Sequence, residues 1–407
     1  MSNTQTKNVP ELRFPGFEGE WEEKKLGNLT TKIGSGKTPK GGSENYTNKG
    51  IPFLRSQNIR NGKLNLNDLV YISKDIDDEM KNSRTYYGDV LLNITGASIG
   101  RTAINSIVET HANLNQHVCI IRLKKEYYYN FFGQYLLSRK GKRKIFLAQS
   151  GGSREGLNFK EIANLKIFTP TIFEEQQKIG KFFSKLDRQI ELEEQKLELL
   201  QQQKKGYMQK IFSQELRFKD ENGEDYPDWE NSKIEKYLKE RNERSDKGQM
   251  LSVTINSGII KFSELDRKDN SSKDKSNYKV VRKNDIAYNS MRMWQGASGK
   301  SNYNGIVSPA YTVLYPTQNT SSLFIGYKFK THRMIHKFKI NSQGLTSDTW
   351  NLKYKQLKNI NIDIPVLEEQ EKIGDFFKKM DILISKQKMK IEILEKEKQS
   401  FLQKMFL

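Results

Sequence analysis

The chain has 407 residues, enough for two or three domains of ordinary size. Its net charge of +20, from 69 Lys+Arg against 49 Asp+Glu, makes it self-repelling unless a polyanion offsets the excess. Nucleic acid is the commonest such partner, and a generally lysine-rich proteome is the other source of such a charge. A single cysteine, Cys119, excludes a disulfide framework. The opening MSNTQTKNVPELRF lacks the apolar core of a signal peptide, and no window approaches the ~18 apolar residues of a membrane span, so a cytoplasmic protein is expected.

The first predicted element is an opening segment, Glu11-Leu12-Arg13-Phe14, followed by a glycine-containing acidic turn, Trp21 and a short amphipathic stretch from Leu26. Short apolar or alternating runs at Ile51–Leu54, Val90–Ile94 and His117–Leu123, bounded by Gly, Asn and Asp, read as strands. Tyr129–Ala148 reads as helical and carries the basic run Arg139–Lys144. Glu174–Phe212 reads as one long helix.

The order then starts again. Glu215-Leu216-Arg217-Phe218 precedes an acidic turn, Trp229 and Ile234. The acidic run Asp220–Glu230 lacks the ligand spacing of a calcium loop and reads as a solvated turn. Strands are expected at Ser252–Ile255, Ile286–Asn289 and Tyr311–Tyr315, a helical stretch at Leu323–Ile340, and a second long helix at Glu368–Phe406. The two long helices match without a gap at nearly half their positions, with a period of 194 residues. That period suits two copies of a whole domain plus its connector. Further matches pair Gly88-Asp89-Val90 with Asn284-Asp285-Ile286, Gly96-Ala97-Ser98 with Gly296-Ala297-Ser298, and Leu157-Asn158 with Trp350-Asn351. On this alignment Asn289–Gly296 carries extra residues relative to Asn93–Gly96. The scaffold is duplicated and the loops are not, and loops on a fixed scaffold are where recognition is carried.

Both long helices phase on heptads. Ile179, Phe183, Leu186, Ile190, Leu197 and Leu200 fall on the seam of the first, and Ile373, Phe377, Met380, Ile384, Ile391 and Leu394 on that of the second. Polar breaks fall at equivalent places, Glu193 with Gln387 and Lys204 with Lys398, either to fix register or as solvated points on a loose seam. Antiparallel packing of the two helices buries both seams most simply and relates the halves by a pseudo-twofold axis. A helix of this length spans roughly 58 Å, at about 1.5 Å per residue. The expected fold is therefore α+β, with two similar recognition domains and two long antiparallel coiled-coil helices. Domain one covers residues 1–170, the central helix 171–213, domain two 214–365 and the C-terminal helix 366–407.

Patterns for catalysis fail on inspection. Gly34-Ser35-Gly36-Lys37-Thr38 resembles the tail of a phosphate loop, but Thr31 stands where the first glycine belongs and Pro39 follows. His332 and His336 have metal-helix spacing, but Arg333 replaces the expected glutamate. No metal site, cofactor loop, methyltransferase tetrad or nuclease motif is evident, so the chain is expected to be non-catalytic and without a cofactor of its own.

With these residues in view, the chain resembles the specificity subunit of type I restriction–modification enzymes. The resemblance rests on Glu-Glu-Gln-x-Lys-Ile-Gly at 174–180 and 368–374, each after a proline (Pro170, Pro365), on Gly36-Lys37-Thr38-Pro39, on Ile51–Ile59, and on Ser150–Asn158. It covers essentially the whole chain, although the Gly-Lys-Thr-Pro turn has no counterpart in the second half. It implies two target-recognition domains, each reading half of a split double-stranded DNA site. The helices would act as a ruler and as a dock for two DNA-methyltransferase (modification) subunits. S-adenosylmethionine, ATP and magnesium would serve partner subunits, including motor/nuclease (restriction) subunits.

Base readout needs Arg, Lys, Asn or Gln on loops or helix ends. The candidates are Arg55, Gln57, Asn58, Arg101 and Arg154 in the first half. In the second they are Arg292, Gln295, Lys300 and Gln343, near Trp294, Thr346 and Ser347. Each is alternatively a turn or scaffold residue. Lys142 and Arg143 in the basic run suit phosphate contact, or a solvated helix end. Two rival readings stay open: an enzyme acting alone, and a coiled-coil scaffold whose charge is incidental.

Overall fold

The computed structural model describes residues 8–149, 156–265, 274–347 and 349–407. The chain divides into two compact units, Met1–Gln195 with Met389–Leu407, and Lys196–Lys388. Each unit therefore takes one α+β domain and one end of each long helix. Among the described residues no helix is long and apolar enough to cross a membrane.

The first unit is built on a four-stranded antiparallel sheet in the order Thr30–Ser35, Val118–Leu123, Val90–Asn93, Thr102–Ile104. Successive residues of a strand face opposite sides. Here Cys119, Ile121, Val90 and Leu92 enter one core, while Val118, Ile120 and Leu91 enter another. Burial on both faces explains why these strands read as unbroken apolar runs. A second sheet orders Val70–Ile72, Ile51–Leu54, Ala112–Leu114 and Arg84–Thr85, with one parallel pair between Ile51–Leu54 and Ala112–Leu114. The Gly-Lys-Thr-Pro turn belongs to this packing. A Cβ on Gly36 would lie 1.7 Å from the Leu114 carbonyl oxygen, and Lys37 N–H donates to that same oxygen at 2.9 Å. Glycine is thus required there by backbone approach.

The second unit repeats the plan. Its antiparallel sheet runs Leu238–Glu240, Tyr311–Pro316, Ile286–Asn289, Ser298–Lys300, the same order as the first. Ile286, Tyr288 and Leu314 face one core and Ala287 and Val313 the other. Asp89 and Asp285 open equivalent strands, each 2% exposed. Each accepts both arms of an arginine, Arg122 at 2.8 Å or Arg241 at 2.7 and 2.9 Å. Each follows a residue in the left-handed region, Gly88 or Asn284.

The long helices are Phe173–Phe212 and Leu367–Lys404. In the first unit the Phe182 ring meets Phe401 at 5.0 Å, Lys398 pairs with Asp187, and Lys390 with Glu193. In the second, Lys204 pairs with Asp381, Tyr207 meets Phe376 at 5.2 Å and Phe212 stacks on Phe377. Numbers rise on one helix as they fall on the other, so the packing within each unit is antiparallel. Ile179, Phe183, Leu186, Ile190, Ile373, Phe377, Met380, Ile391 and Leu394 are buried, and Leu197, Leu200 and Ile384 half-buried. The lysine breaks, Lys204 and Lys398, are paired across the seam with Asp381 and Asp187, which occupy equivalent positions of the repeat.

Three sequence expectations need correction. Gly296-Ala297-Ser298 does not correspond to Gly96-Ala97-Ser98. Ser298 pairs with Tyr288 as Thr102 pairs with Leu92, so Gly296 corresponds to Gly100. Both glycines close their loops in the left-handed region, with φ of 84° and 82°. The loops from Asn93 and Asn289 therefore have equal length, and no residues are inserted. Similarly, Leu157 corresponds to Leu352, since they donate to the Ile94 and Ser290 carbonyls respectively. Finally, each helical stretch is two helices. Tyr129–Leu137 and Arg139–Leu147 break at Ser138, and Ser322–Lys328 and His332–Asn341 break at Thr331. Each hydroxyl residue caps the second helix of its pair.

Candidate nucleic-acid interface

The motif Glu-Glu-Gln-x-Lys-Ile-Gly locks each domain to its long helix. Glu175 is fully buried and accepts from Arg13 at 2.7 and 2.8 Å and from the Trp21 indole at 3.3 Å. Glu369 does the same with Arg217 at 3.2 and 2.7 Å and Trp229 at 3.2 Å. Contact with these carboxylates raises the pKa of both guanidinium groups. Gln176 and Gln370 then accept from the Tyr128 and Ser321 backbone N–H groups and donate to the Pro170 and Pro365 carbonyls. The next helix of each domain is thereby anchored. These residues tie each domain to its long helix.

The strand-end loops lie side by side in each unit. In the first, Asn93 donates to the Ser56 carbonyl at 2.9 Å, and Thr95 bridges Gly156. Gln57 is exposed there, and the half-buried Arg101 makes no side-chain hydrogen bond among the described residues. Arg55 is more constrained. It donates to the Asp68 carbonyl at 2.9 Å and lies 5.6 Å from the Tyr46 ring. Asn58 is withdrawn as a candidate reader. It is fully buried, and its amide bonds the Arg55 N–H and the Asn65 carbonyl, which is the work of a turn residue. Arg154 lies outside the described residues. Sequence reading overlooked Gln116 and His117, which join Thr38 and Thr95 in a polar chain on the loop before Val118. A polar pair ahead of a buried strand was the available signal.

In the second unit Trp294 meets Trp350 edge-on at 5.2 Å, bringing the Arg292–Gln295 turn beside the 343–351 loop. Arg292 and Gln343 are exposed, and Gln295 is half-buried and accepts from Arg292 at 3.4 Å. Lys300 is separate from this pair of loops and lines a cleft described below. Lys142 and Arg143 are exposed on Arg139–Leu147, while their neighbours Lys140 and Lys144 bond the Phe406 and Lys166 carbonyls.

The cleft has a volume of about 1430 Å³ and lies within the second unit. Lys204 and Lys205 border it from the first long helix, Lys378 from the second, and Lys300, Lys328 and Lys330 from the domain. Arg333 completes seven basic side chains, against the single carboxylate Asp381. Burial pushes Lys328 and Lys330 down to about 8. Lys330 donates to two backbone carbonyls, whereas Lys328, 2% exposed, makes no hydrogen bond among the described residues and lies over the Trp229 and Phe212 rings at 4.8 and 5.3 Å, with Asp363 attracting it.

A lysine held at about 8 rather than 10.5 carries a burial cost of about 3 kcal/mol. Below pH 8 the ammonium is charged in both folded and unfolded states and the cost is fully present. Between pH 8 and 10.5 the folded protein releases the proton first and the cost disappears. Lys328→Met, which keeps the apolar stem, is thus expected to stabilise the second unit by about 2–3 kcal/mol at pH 7, less as pH rises through this window. Melting of the variant and the parent across that range checks it; an equal or larger gain above pH 10 would contradict the assignment.

Together these features define a duplicated α+β scaffold that presents two unlike sets of strand-end loops. The chain matches the type I restriction modification DNA specificity domain twice, over residues 18–202 and 226–396, and it belongs to that family. It is 27% identical over 250 residues to a putative type I restriction enzyme MjaX specificity subunit from Methanocaldococcus jannaschii, covering 59% of this chain and 56% of that protein. It is 33% identical over 133 residues to the Escherichia coli EcoBI specificity subunit, covering 32% of this chain and 27% of that one. The chain thus spans about half the length, or less, of these curated relatives. Its fold is similar to the crystal structure of a type I S subunit from M. genitalium, with a TM-score of 0.60 at 14% identity over 98% of this chain and 99% of that one. It is similar also to a chain from a study of type I R-M complex assembly, with a TM-score of 0.55 at 15% identity over 95% and 97% of the two chains.

Proposed function

We propose that the chain is the non-catalytic specificity subunit of a type I restriction–modification complex, each unit reading one half of a bipartite double-stranded DNA target. The observation that carries this is the contrast within the repeat. Strand order and the Glu–Arg–Trp lock are shared, while the strand-end loops bear different side chains. Gln57, Arg101, Gln116 and His117 are the proposed readers in the first unit, with Arg55 at their margin. Arg292, Gln295 and Gln343 are the readers in the second. Lys142 and Arg143 take phosphates, which positions the duplex without specifying sequence.

The long helices set the gap between half-sites and dock two modification subunits. Support for docking comes from their exposed apolar side chains, Leu192 and Leu199 on the first and Ile382, Leu383, Met389 and Ile393 on the second. S-adenosylmethionine, ATP and magnesium are used in partner subunits, and motor/nuclease subunits complete the complex.

Co-expression with a modification subunit in a methylation-free host tests this. Sequencing of the host genome should show one two-part motif with a fixed gap. A contiguous motif would overturn the two-reader architecture. Methyl transfer by the isolated chain would overturn the non-catalytic role.

A further inference from the structure

We propose that the basic cleft of the second unit seats the phosphodiester backbone of DNA, so that this unit grips its half of the duplex through a device the first unit lacks. The proposal rests on the DNA reading above and adds a ligand site to it.

The charge at the cleft is largely uncompensated. Lys204 is paired with Asp381 and Arg333 with Asp363, which lies outside the lining. Lys205 and Lys378 have no acid partner among the described residues. Among the described residues Lys300 bonds only the neutral Asn302, and Lys378 repels it. The Lys328 ammonium on the lining meets the Trp229 and Phe212 rings and is attracted by Asp363, but it finds no hydrogen-bond acceptor among the described residues. It supplies a donor that an oxyanion would satisfy.

The duplicated scaffold does not require this arrangement. The register that equates Ser298 with Thr102 places Ile104 opposite Lys300. The shared caps at Ser138 and Thr331 place Tyr135 and Leu137 opposite Lys328 and Lys330. The 194-residue period places Ser184 and Gln399 opposite Lys378 and Lys205. Five lysines of the second unit thus stand where the first has neutral residues. The equivalent space in the first unit is also covered. The hairpin of Ile59–Arg60 and Lys63–Leu64 packs there, with Gly62 against Leu137 and Lys398, and Lys63 paired with Glu194.

DNA is favoured over an acidic peptide by continuity. The reading turn Arg292–Gln295 runs through Gly296 directly into Ser298–Lys300, which borders the cleft. A strand read at the turn is carried towards lysines on flexible stems, the side chains suited to point contacts with phosphate.

The test is binding of a fluorescent random-sequence duplex to the full chain across a salt series. The parent is compared with Lys205→Gln/Lys300→Gln/Lys378→Gln and with a charge-matched control at exposed first-unit lysines outside the proposed contacts, Lys74→Gln/Lys125→Gln/Lys160→Gln, which should keep the parent's salt slope to within about 1. The cleft variant is expected to bind at least about tenfold more weakly near ~0.1 M salt, with a salt slope shallower by about 2–3. Lys328→Met, whose folding is read by melting, should weaken binding severalfold without loss of stability. If the parent binds and the cleft variant keeps its slope, the cleft is no phosphate seat while the DNA reading stands. Failure of the parent to bind any duplex would sink both. Should polyglutamate bind the parent, be lost in the cleft variant, and go undisplaced by DNA, the cleft belongs to an acidic protein partner and the proposal is wrong.

Discussion

Arg217→Met is expected to destabilise the second unit by about 3–5 kcal/mol. Glu369 has no exposure, and three of its hydrogen bonds come from Arg217 and Trp229. Removing the guanidinium leaves a carboxylate out of water with one indole N–H, and an uncompensated buried charge is far costlier than a lost pair. For a unit of this size the midpoint should fall by about 10 °C. Arg13→Met should do the same in the first unit, because Glu175 is equally buried and bonded to Arg13 and Trp21. The two arginines lie in different units, so each variant should lower one melting transition and leave the other in place. A surface ion pair would shift the midpoint by only a degree or two. Such a small shift for Arg217→Met would show that Glu369 is wetter than the structure has it.

Much of this scaffold was legible because repetition and periodicity are properties of sequence alone. The seam was read from heptads, and the strands from apolar runs that turn out to be buried on both faces. Loop register was not legible, because it depends on backbone sign. Gly96 and Gly296 look alike in sequence, yet the glycine that closes the equivalent loop in the first half is Gly100. Nor was the Glu-Glu-Gln motif understood as a lock, since Arg13 and Glu175 are 162 residues apart. The cleft was hidden for the same reason. Of its lysines only Lys300 stands out as a DNA contact and Lys204 as a break in the helix seam, because the others are scattered over both long helices and the Ser321–Thr331 segment. Asn58 shows the converse error. Its residue type suits base readout, but the same amide suits a turn, and burial decided for the turn.

Lengthening both long helices by one heptad each, beside the Glu193–Lys390 pair, should widen the gap in the methylated motif by about three base pairs. Seven residues add about 10 Å of helix, and base pairs are spaced at about 3.4 Å. Four residues in each helix add about 6 Å, or roughly two base pairs, but leave the seam partly rotated, so that variant should be less stable. The insertions must be matched. Below the insertion point Asp187 must still meet Lys398, and above it Lys204 must still meet Asp381. An insertion in one helix alone forces one of these antiparallel sets out of register, with its Phe182–Phe401 or Tyr207–Phe376 contact. Methylation should then be lost or much reduced, while the matched insertion retains it. The readout is the methylome of a host carrying each variant with a modification subunit. The half-site sequences should stay the same, because the loops proposed to read them are untouched. An unchanged gap in a folded, active heptad variant would mean that the helices do not set the spacing. Altered half-sites would mean that the helices take part in reading them.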